Sequence, residues 1–229
     1  MNKIKLKLRS SILSATAFIS LFSLTYQPIY AQNISPIIAF WNKIFKPIGD
    51  PEPPIKPKKG GSRGPICLIS PDAPNQTRII WNTKPLFLWK GDIKKIAVGI
   101  PGNEEYLTTQ IVTGTQNANY TGKPLEPGQT YRWSVFLSEG EGTSPTMFVP
   151  FKIMETPQRN RITAELKLLE RLQKNQGADA ENIAVSKAEY FAQKGLWSDA
   201  LQQFYSVPNP SPELSQIIKD IPNQLCKEK

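Results

Sequence analysis

The sequence contains no histidine, which limits the chemistry that its other residues can perform. Ser-His-Asp and Cys-His nucleophiles, histidine-bearing zinc sites and the usual general base near neutral pH are all excluded. Residues 60–64 read GGSRG and match the GxSxG pattern of a nucleophile elbow. Because this stretch lies in a proline-rich segment with no strand before it, and no histidine can activate Ser62, we interpret it as a chance match.

Carboxylates are then the remaining candidates for catalysis, as in glycosidases. The acid clusters Glu104-Glu105 and Glu139/Glu141 lie in predicted turns, without a neighbouring apolar run that would raise a pKa by desolvation. Four further acids are interpreted as turn or capping residues: Asp72, Asp92, Asp199 and Glu213. The sequence therefore predicts no catalytic, cofactor-binding or metal-binding residue.

The first 31 residues predict a secretory signal peptide. Four cations without an acid precede an uncharged, mostly apolar run from Ser11 to Tyr26, and Ala31 supplies the small residue at the cleavage position. A membrane anchor is the alternative, but a spanning helix needs about 20 apolar residues, and Pro28 ends this run earlier. We expect an exported protein of the periplasm or cell envelope whose mature chain begins near Gln32.

The net charge of +9 lies mostly outside the part that is predicted to fold. The leader carries four of these charges, residues 32–66 carry four more, and the chain from Cys67 onward carries one. A nucleic-acid-binding domain needs a basic face on its folded part. We therefore expect no nucleic-acid partner.

Two cysteines, Cys67 and Cys226, stand at the two ends of the part that is predicted to fold. In an oxidising compartment they can pair and tie these ends together. The alternative is one buried thiol and one loose thiol near the C-terminus. The sequence does not decide between the two.

Residues 34–48 predict a short amphipathic helix, with Ser35 as N-cap, Pro36 as first helical residue and Pro47 as terminator. Such a short helix is marginal alone in water, so its apolar face needs a surface. That surface is the protein's own domain, a partner's groove or an anionic membrane face. The residues that would dock are Ile37, Ile38, Trp41, Ile44 and Phe45.

Residues 49–66 are rich in proline, glycine and lysine and predict a linker, so that residues 32–66 form a helix plus a tether. Residues 67–155 show short alternating strands separated by turn signals, which predict a small antiparallel β-sandwich. Its last strand, 147–153, contains Pro150 and is expected at a sheet edge. Residues 156–229 switch to helical periodicity and predict a cap of about four helices, the last ending at Pro222. The fold class is thus α+β.

Two local patterns resemble known domains. The stretch LEPGQTY at 125–131 resembles the tyrosine corner of fibronectin type III and related immunoglobulin-like sandwiches, in which the tyrosine hydroxyl returns to the upstream backbone. The residues on which this resemblance rests are Leu125, Pro127, Gly128 and Tyr131. The helices around Gly195 resemble a single tetratricopeptide unit, with small, aromatic and turn positions at Ala188, Phe191, Gly195, Trp197, Ala200 and Phe204.

The mature region as a whole resembles a family of exported proteins typical of cyanobacteria, domain of unknown function 928. The resemblance is carried by residues 60–67, 85–89, 125–135 and 190–201, in that order and spacing. It implies export and a two-part layout. It implies no activity.

These features favour a non-enzymatic interaction protein of the periplasm or cell envelope. Its partner would be an envelope protein or a glycan, with peripheral membrane contact through residues 34–48 as a further route. The alternative is a carbohydrate-binding module or a carboxylate-dependent glycan enzyme. That alternative needs a row of exposed aromatic rings, or two converging acids about 5–10 Å apart.

Overall fold

The computed structural model describes residues 38–39, 66–72, 77–138 and 144–226, which form eight strands followed by four helices. The predicted signal peptide and almost all of the predicted linker lie outside the described residues. The strands are β1 (Cys67–Ser70), β2 (Arg78–Ile80), β3 (Leu86–Lys90), β4 (Lys95–Gly99), β5 (Tyr106–Ile111), β6 (Asn117–Asn119), β7 (Thr130–Phe136) and β8 (Met147–Ile153). The helices are α1 (Thr156–Asn175), α2 (Ala180–Gln193), α3 (Trp197–Tyr205) and α4 (Pro212–Leu225).

The strands form two sheets. One has three strands in the order β1-β3-β6, and the other has five in the order β2-β8-β7-β4-β5. The predicted α+β class is confirmed. The expectation of a purely antiparallel arrangement is wrong at one position, because β2 pairs parallel with β8.

The three-stranded sheet lies between the five-stranded sheet and the helices. Phe87 and Trp89 of β3 pack in the core between the sheets, whereas Leu88 belongs to the core of the helices. Because both faces of β3 are covered, Leu86–Trp89 is buried throughout. A strand buried on both sides reads as a continuous apolar run, and PLFLW is such a run.

The helices begin and end at local sequence signals. The Asp179 side chain accepts a hydrogen bond from the backbone N–H of Asn182, and Ser211 accepts one from that of Leu214. Gly195, between α2 and α3, has φ +71°, a conformation that other residues adopt only with strain. This turn lets α2 and α3 pack as an antiparallel pair.

Strand β8 is not an edge strand, although Pro150 predicts one. It lies between β2 and β7. Proline is tolerated because β2 pairs only with Phe151–Ile153, so β8 has one neighbour at Pro150 itself, which is paired with Arg132 of β7. Pro150 therefore lies where β8 has a neighbour on one side only, as the edge preference of proline requires, although β8 itself is an interior strand.

Helix α4 continues through Pro222, where the sequence predicts its end. An interior proline removes the hydrogen bond to the carbonyl four residues earlier, here that of Ile218. The hydroxyl of Tyr205 donates to this carbonyl at 3.4 Å. Pro222 itself is buried among the helices, and its packing favours the continued helix.

A disulfide joins Cys67 at the start of β1 to Cys226, the residue that follows α4, with their Cα atoms 6.1 Å apart. Of the two alternatives that the sequence leaves open, the structure contains the bridge. It links the first strand of the inner sheet to the end of the last helix. The two ends of the folded region are thereby held together.

The corner at residues 125–131 has the hydrogen bond that the resemblance implies. The backbone N–H of Glu126 donates to the Tyr131 hydroxyl at 2.9 Å. Leu125 is buried, Pro127 is exposed, and Gly128 has φ +81°. A Cβ at Gly128 would come within 2.6 Å of a carboxylate oxygen of the exposed Glu155 side chain, which can move, so it is the positive φ that favours glycine here.

Replacing both Cys67 and Cys226 by serine should lower the free energy of unfolding by about 3–5 kcal/mol, because the bridge restricts the unfolded chain over a separation of 159 residues. Chemical denaturation under oxidising conditions measures this difference. Wild-type protein unfolded in the presence of reductant is the control and should match the variant. Equal stability of wild type with and without reductant would contradict the bridge.

Tyr131→Phe should lower the free energy of unfolding by about 1–2 kcal/mol, because the Glu126 N–H loses its acceptor at the corner. Tyr120→Phe is the matched control. Tyr120 is also buried in the core between the sheets, and its hydroxyl makes no hydrogen bond within the described residues. Equal losses for the two variants would show that the corner bond contributes nothing.

Candidate functional site

Asp199, the third residue of α3, is buried against the turn between β2 and β3. Its two carboxylate oxygens accept hydrogen bonds of 2.8 Å from the backbone N–H groups of Trp81 and Asn82. The side chain is 1% exposed. One carboxylate therefore joins the helical layer to the sheets. We call this contact and the bonds around it the junction.

The junction extends to α1 and along α3. Arg159 donates from Nε to the carbonyl of Trp81 at 3.0 Å, and the Trp81 indole N–H is 3.2 Å from both the Arg159 carbonyl and the Thr163 hydroxyl. The Gln202 side chain accepts from the N–H of Leu86 and donates to the carbonyl of Lys84. The turn that precedes β3 is thus bound on both sides by helices.

Burial raises the pKa of Asp199 to about 7, although the N–H groups of Trp81 and Asn82 and the charge of Arg159 lower it. The interpretation of Asp199 as a turn or capping residue is therefore incomplete: it begins a helix but binds a distant turn. A pKa near neutrality often marks a catalytic acid. Here both oxygens are occupied by backbone N–H groups and closed off from solvent, which makes the junction structural.

The outer face of the five-stranded sheet points away from the inner sheet. Trp133 and Val135 of β7 and Phe151 of β8 fill the core between the sheets, so the alternate residues point outward. Strand register places these outward residues in rows. One row contains Phe148, Ser134, Ala97 and Thr109, and the next contains Phe136, Lys95 and Ile111. We call this surface the open face.

An aromatic and cationic layer covers the middle of the open face. The ring of Tyr106 lies over Gly99, where an added Cβ would come within 3.2 Å of its Cδ1. Tyr106 meets Phe136 edge-on at 6.0 Å between ring centroids. Lys95 Nζ lies 4.5 Å above the Phe136 ring, and the Arg132 guanidinium lies 5.6 Å from the Tyr106 ring. The small residues beneath are buried as a result.

The open face is apolar at its margin, and its strands carry cations. Phe148 is 61% exposed on β8, beside the buried Ser134 and Phe136. The five strands contain four cations, Arg78, Lys95, Arg132 and Lys152, and no carboxylate. Arg78 points inward and is buried, whereas the other three lie on the outer face. Aromatic residues and arginine, here Phe148 and Arg132, are enriched in interaction surfaces.

The predicted docking helix falls almost entirely outside the described residues. Residues 38 and 39 are helical, and Ile38 is partly buried against the core of the helices. Ile37, Trp41, Ile44 and Phe45 lie outside the described residues. The single described contact is with the protein's own domain, one of the three surfaces that the sequence leaves open.

The tryptophans that the structure describes do not form a row of exposed rings. Trp89 and Trp133 are fully buried in the core between the sheets. Trp81 is partly buried, and its ring packs between Phe191 and Arg159. Glu104 and Glu105 are exposed at the turn between β4 and β5, and Glu139 and Glu141 lie outside the described residues.

Sequence reasoning missed the junction because its partners are 117 and 118 residues apart along the chain. One signal was present: Asp199 stands between Trp197 and Ala200-Leu201 in an otherwise apolar helix start. Within the described residues, no group of three or more His, Cys, Asp or Glu side chains could hold a metal ion. The helices described there include none with the length and apolarity to cross a membrane.

Comparison with known proteins identifies one family. A family model described as Domain of Unknown Function (DUF928) matches residues 100–228, which is more than half of the chain. The match runs from the end of β4 to the end of the helical layer, so it includes β5, β7 and β8 of the open face and the helical side of the junction. None of the curated proteins matches the chain.

The raised pKa of Asp199 predicts that the protein loses stability as pH rises. Because the folded-state pKa of about 7 exceeds the ordinary value of 3.8, the folded state binds more protons between these two values. The free energy of unfolding should therefore fall with increasing pH across that window. Asp199→Asn cannot titrate and should remove this component of the slope, as measured by denaturation at several pH values.

Asp199→Asn also turns an amide N–H₂ toward a backbone donor, which should cost about 1–3 kcal/mol at every pH. The stability gap between wild type and variant should consequently be largest at the acid end of the window. Asp179→Asn is the control, since Asp179 is an exposed N-cap with one backbone partner. A gap that widens toward alkaline pH would contradict a raised pKa.

Proposed function

Since the chain belongs to the family described as Domain of Unknown Function (DUF928), we propose a function from its own geometry. The mature protein is a non-enzymatic interaction protein of the periplasm or cell envelope. It binds an envelope protein through the open face. The observation that carries the proposal is the exposed Phe148 beside a packed layer of aromatic rings and cations.

Phe148 supplies the apolar anchor of this proposed interface. It is 61% exposed, and its neighbours Ser134 and Phe136 are buried, so a partner would contact a ring standing on a packed floor. Burying such a ring is worth about 1.5–3 kcal/mol. Aromatic anchors surrounded by well-packed contacts are typical of binding hot spots.

The charge of the open face selects the kind of partner. Arg132 and Lys152 lie on it, and its strands contain no carboxylate. Lys152 is paired with Glu155 just beyond the strand. A partner that presents an apolar patch beside carboxylates would match both the ring and the cations, and charge complementarity of this kind favours fast and specific association.

The setting of this interaction is part of the proposal. The basic and apolar leader supports export, and the resemblance to a cyanobacterial family supports an origin in such an organism. The corner at Tyr131 supports assigning the sheets to the fibronectin type III or immunoglobulin-like sandwiches, and the turn at Gly195 supports a single tetratricopeptide-like unit in the helices. Neither likeness assigns a ligand.

The alternative, a glycan-binding module or carboxylate-dependent glycan enzyme, has less support. Trp89 and Trp133 are buried, and the ring of Trp81 is held between Phe191 and Arg159. The carboxylate with a pKa near neutrality, Asp199, has both oxygens bound by the backbone and is closed off from solvent. Among the described residues, Phe148 is a single strongly exposed aromatic ring and not the row of rings that a glycan-binding module needs.

Phe148→Ser should weaken capture of the partner from a solubilised native envelope fraction by about tenfold or more, since the ring's burial is lost. Quantitative mass spectrometry of pulldowns with the full mature chain measures the loss. Arg132→Gln should weaken capture of the same partner, and the loss should be larger at low salt than at high salt.

Leu172→Ser is the matched control, because Leu172 is 52% exposed on α1, on the helical side of the molecule. Thermal unfolding should show that all three variants remain folded. If Phe148→Ser and Leu172→Ser retain the same partner equally well, the open face is not the binding surface.

A further inference from the structure

Strand β5 forms one edge of the five-stranded sheet and has only β4 as a neighbour within the described residues. It spans six residues, whereas the other edge strands, β1, β2 and β6, span four, three and three. An edge strand offers unpaired N–H and C=O groups to another chain. Strand β5 is the longest of these edge strands and therefore offers the most unpaired backbone groups.

Natural edges are usually protected by charges, prolines or bulges. The β5 sequence YLTTQI contains no charge and no proline. A bulge interrupts the pairing between Val98 and Gly99, at the Tyr106 end of the strand. The stretch 108–111 is paired regularly with β4 and has none of these protections.

The backbone of β5 has free hydrogen-bonding groups at alternate residues. The N–H of Val112 donates to the carbonyl of Lys94 at 2.9 Å. Since backbone direction alternates along a strand, Gln110 and Thr108 also face β4, while Thr109 and Ile111 direct their N–H and C=O groups away from it. Thr109 therefore lies at the centre of the open edge.

The side chains along this edge are symmetric about Thr109. Residues 107, 109 and 111 are the exposed positions of β5, and Leu107 and Ile111 are 51% and 59% exposed. In an antiparallel pair centred on Thr109, Leu107 of each strand, which the bulge leaves without a partner on β4, would face Ile111 of the other. Thr109 would face Thr109, and Thr108 would face Gln110. Apolar, threonine and polar pairs of these kinds stabilise antiparallel sheets.

We propose that β5 pairs with β5 of a second copy of this chain, with Thr109 on the two-fold axis. The strand is complementary to itself in pattern and carries no charge that would repel its copy. A two-fold interface brings the same patch of both subunits together, as this pattern requires. The two five-stranded sheets would join into one of ten strands. Their open faces would lie side by side.

The proposal rests on the edge of the sheet and does not depend on the function proposed for Phe148. Phe148 lies on β8, and β7 and β4 separate it from β5. A variant that prevents pairing at Thr109 leaves that ring in place. Loss of dimerisation and loss of partner binding can therefore be measured separately.

Sedimentation equilibrium of the full mature chain over a concentration series tests the pairing. Wild type should show a concentration-dependent dimer. Thr109→Lys and Thr109→Glu should each be monomeric, because like charges would face each other directly across the axis. An equimolar mixture of the two variants should recover the dimer, because a lysine then faces a glutamate. Leu172→Lys, on α1, should dimerise as wild type does.

Two outcomes would overturn the pairing of β5 with β5, and a third would overturn its register. One is a wild-type chain that remains monomeric at every concentration, which would leave the edge to a strand from a different protein. The other is a dimer that persists in both Thr109 variants, which would place the interface elsewhere. A mixture that stays monomeric while wild type dimerises would show that Thr109 does not lie opposite itself, and would overturn the register.

Discussion

The arrangement of the described sheets and helices depends on a buried carboxylate that binds a backbone turn. Asp199 of α3 accepts from the N–H groups of Trp81 and Asn82, which would otherwise be unpaired in the interior. Leaving such groups unsatisfied is costly, and so is burying a carboxylate without partners. Each side of the junction therefore requires the other. The helices are fixed over the inner sheet, where Leu88 and Ile69 complete their core.

With the helices on one side, the five-stranded sheet has no described helix or strand packed on its other face. Its outer face is closed over Ala97 and Ser134 by Tyr106, Phe136 and their cations, but Phe148 has no such cover. A sheet face built in this way is stable in water and still offers an apolar anchor. This division between packed helices and an open sheet is consistent with the proposed role in binding a partner.

Much of the fold could be predicted from the sequence because its signals are local. The run Leu86–Trp89 indicates a fully buried strand, and the spacing from Leu125 to Tyr131 indicates the corner. Features that depend on distant partners could not be predicted. Pro222 lies inside α4, where it is buried and where the Tyr205 hydroxyl lies 3.4 Å from the carbonyl that the proline leaves unpaired. Pro150 lies in an interior strand because β2 stops short of it. The open face could not be predicted either, because Tyr106 and Phe136 contact each other from β5 and β7, which lie on opposite sides of β4.

The central claim is that the open face is the surface that contacts a partner, and site-specific photocrosslinking in the native envelope tests it most directly. A photoreactive residue at position 148 should give a crosslinked product with one predominant envelope protein, and the crosslinked peptide of that protein should be rich in carboxylates. The same residue at position 172 of α1 should give no such product. A predominant product from position 172 with none from position 148 would contradict the account.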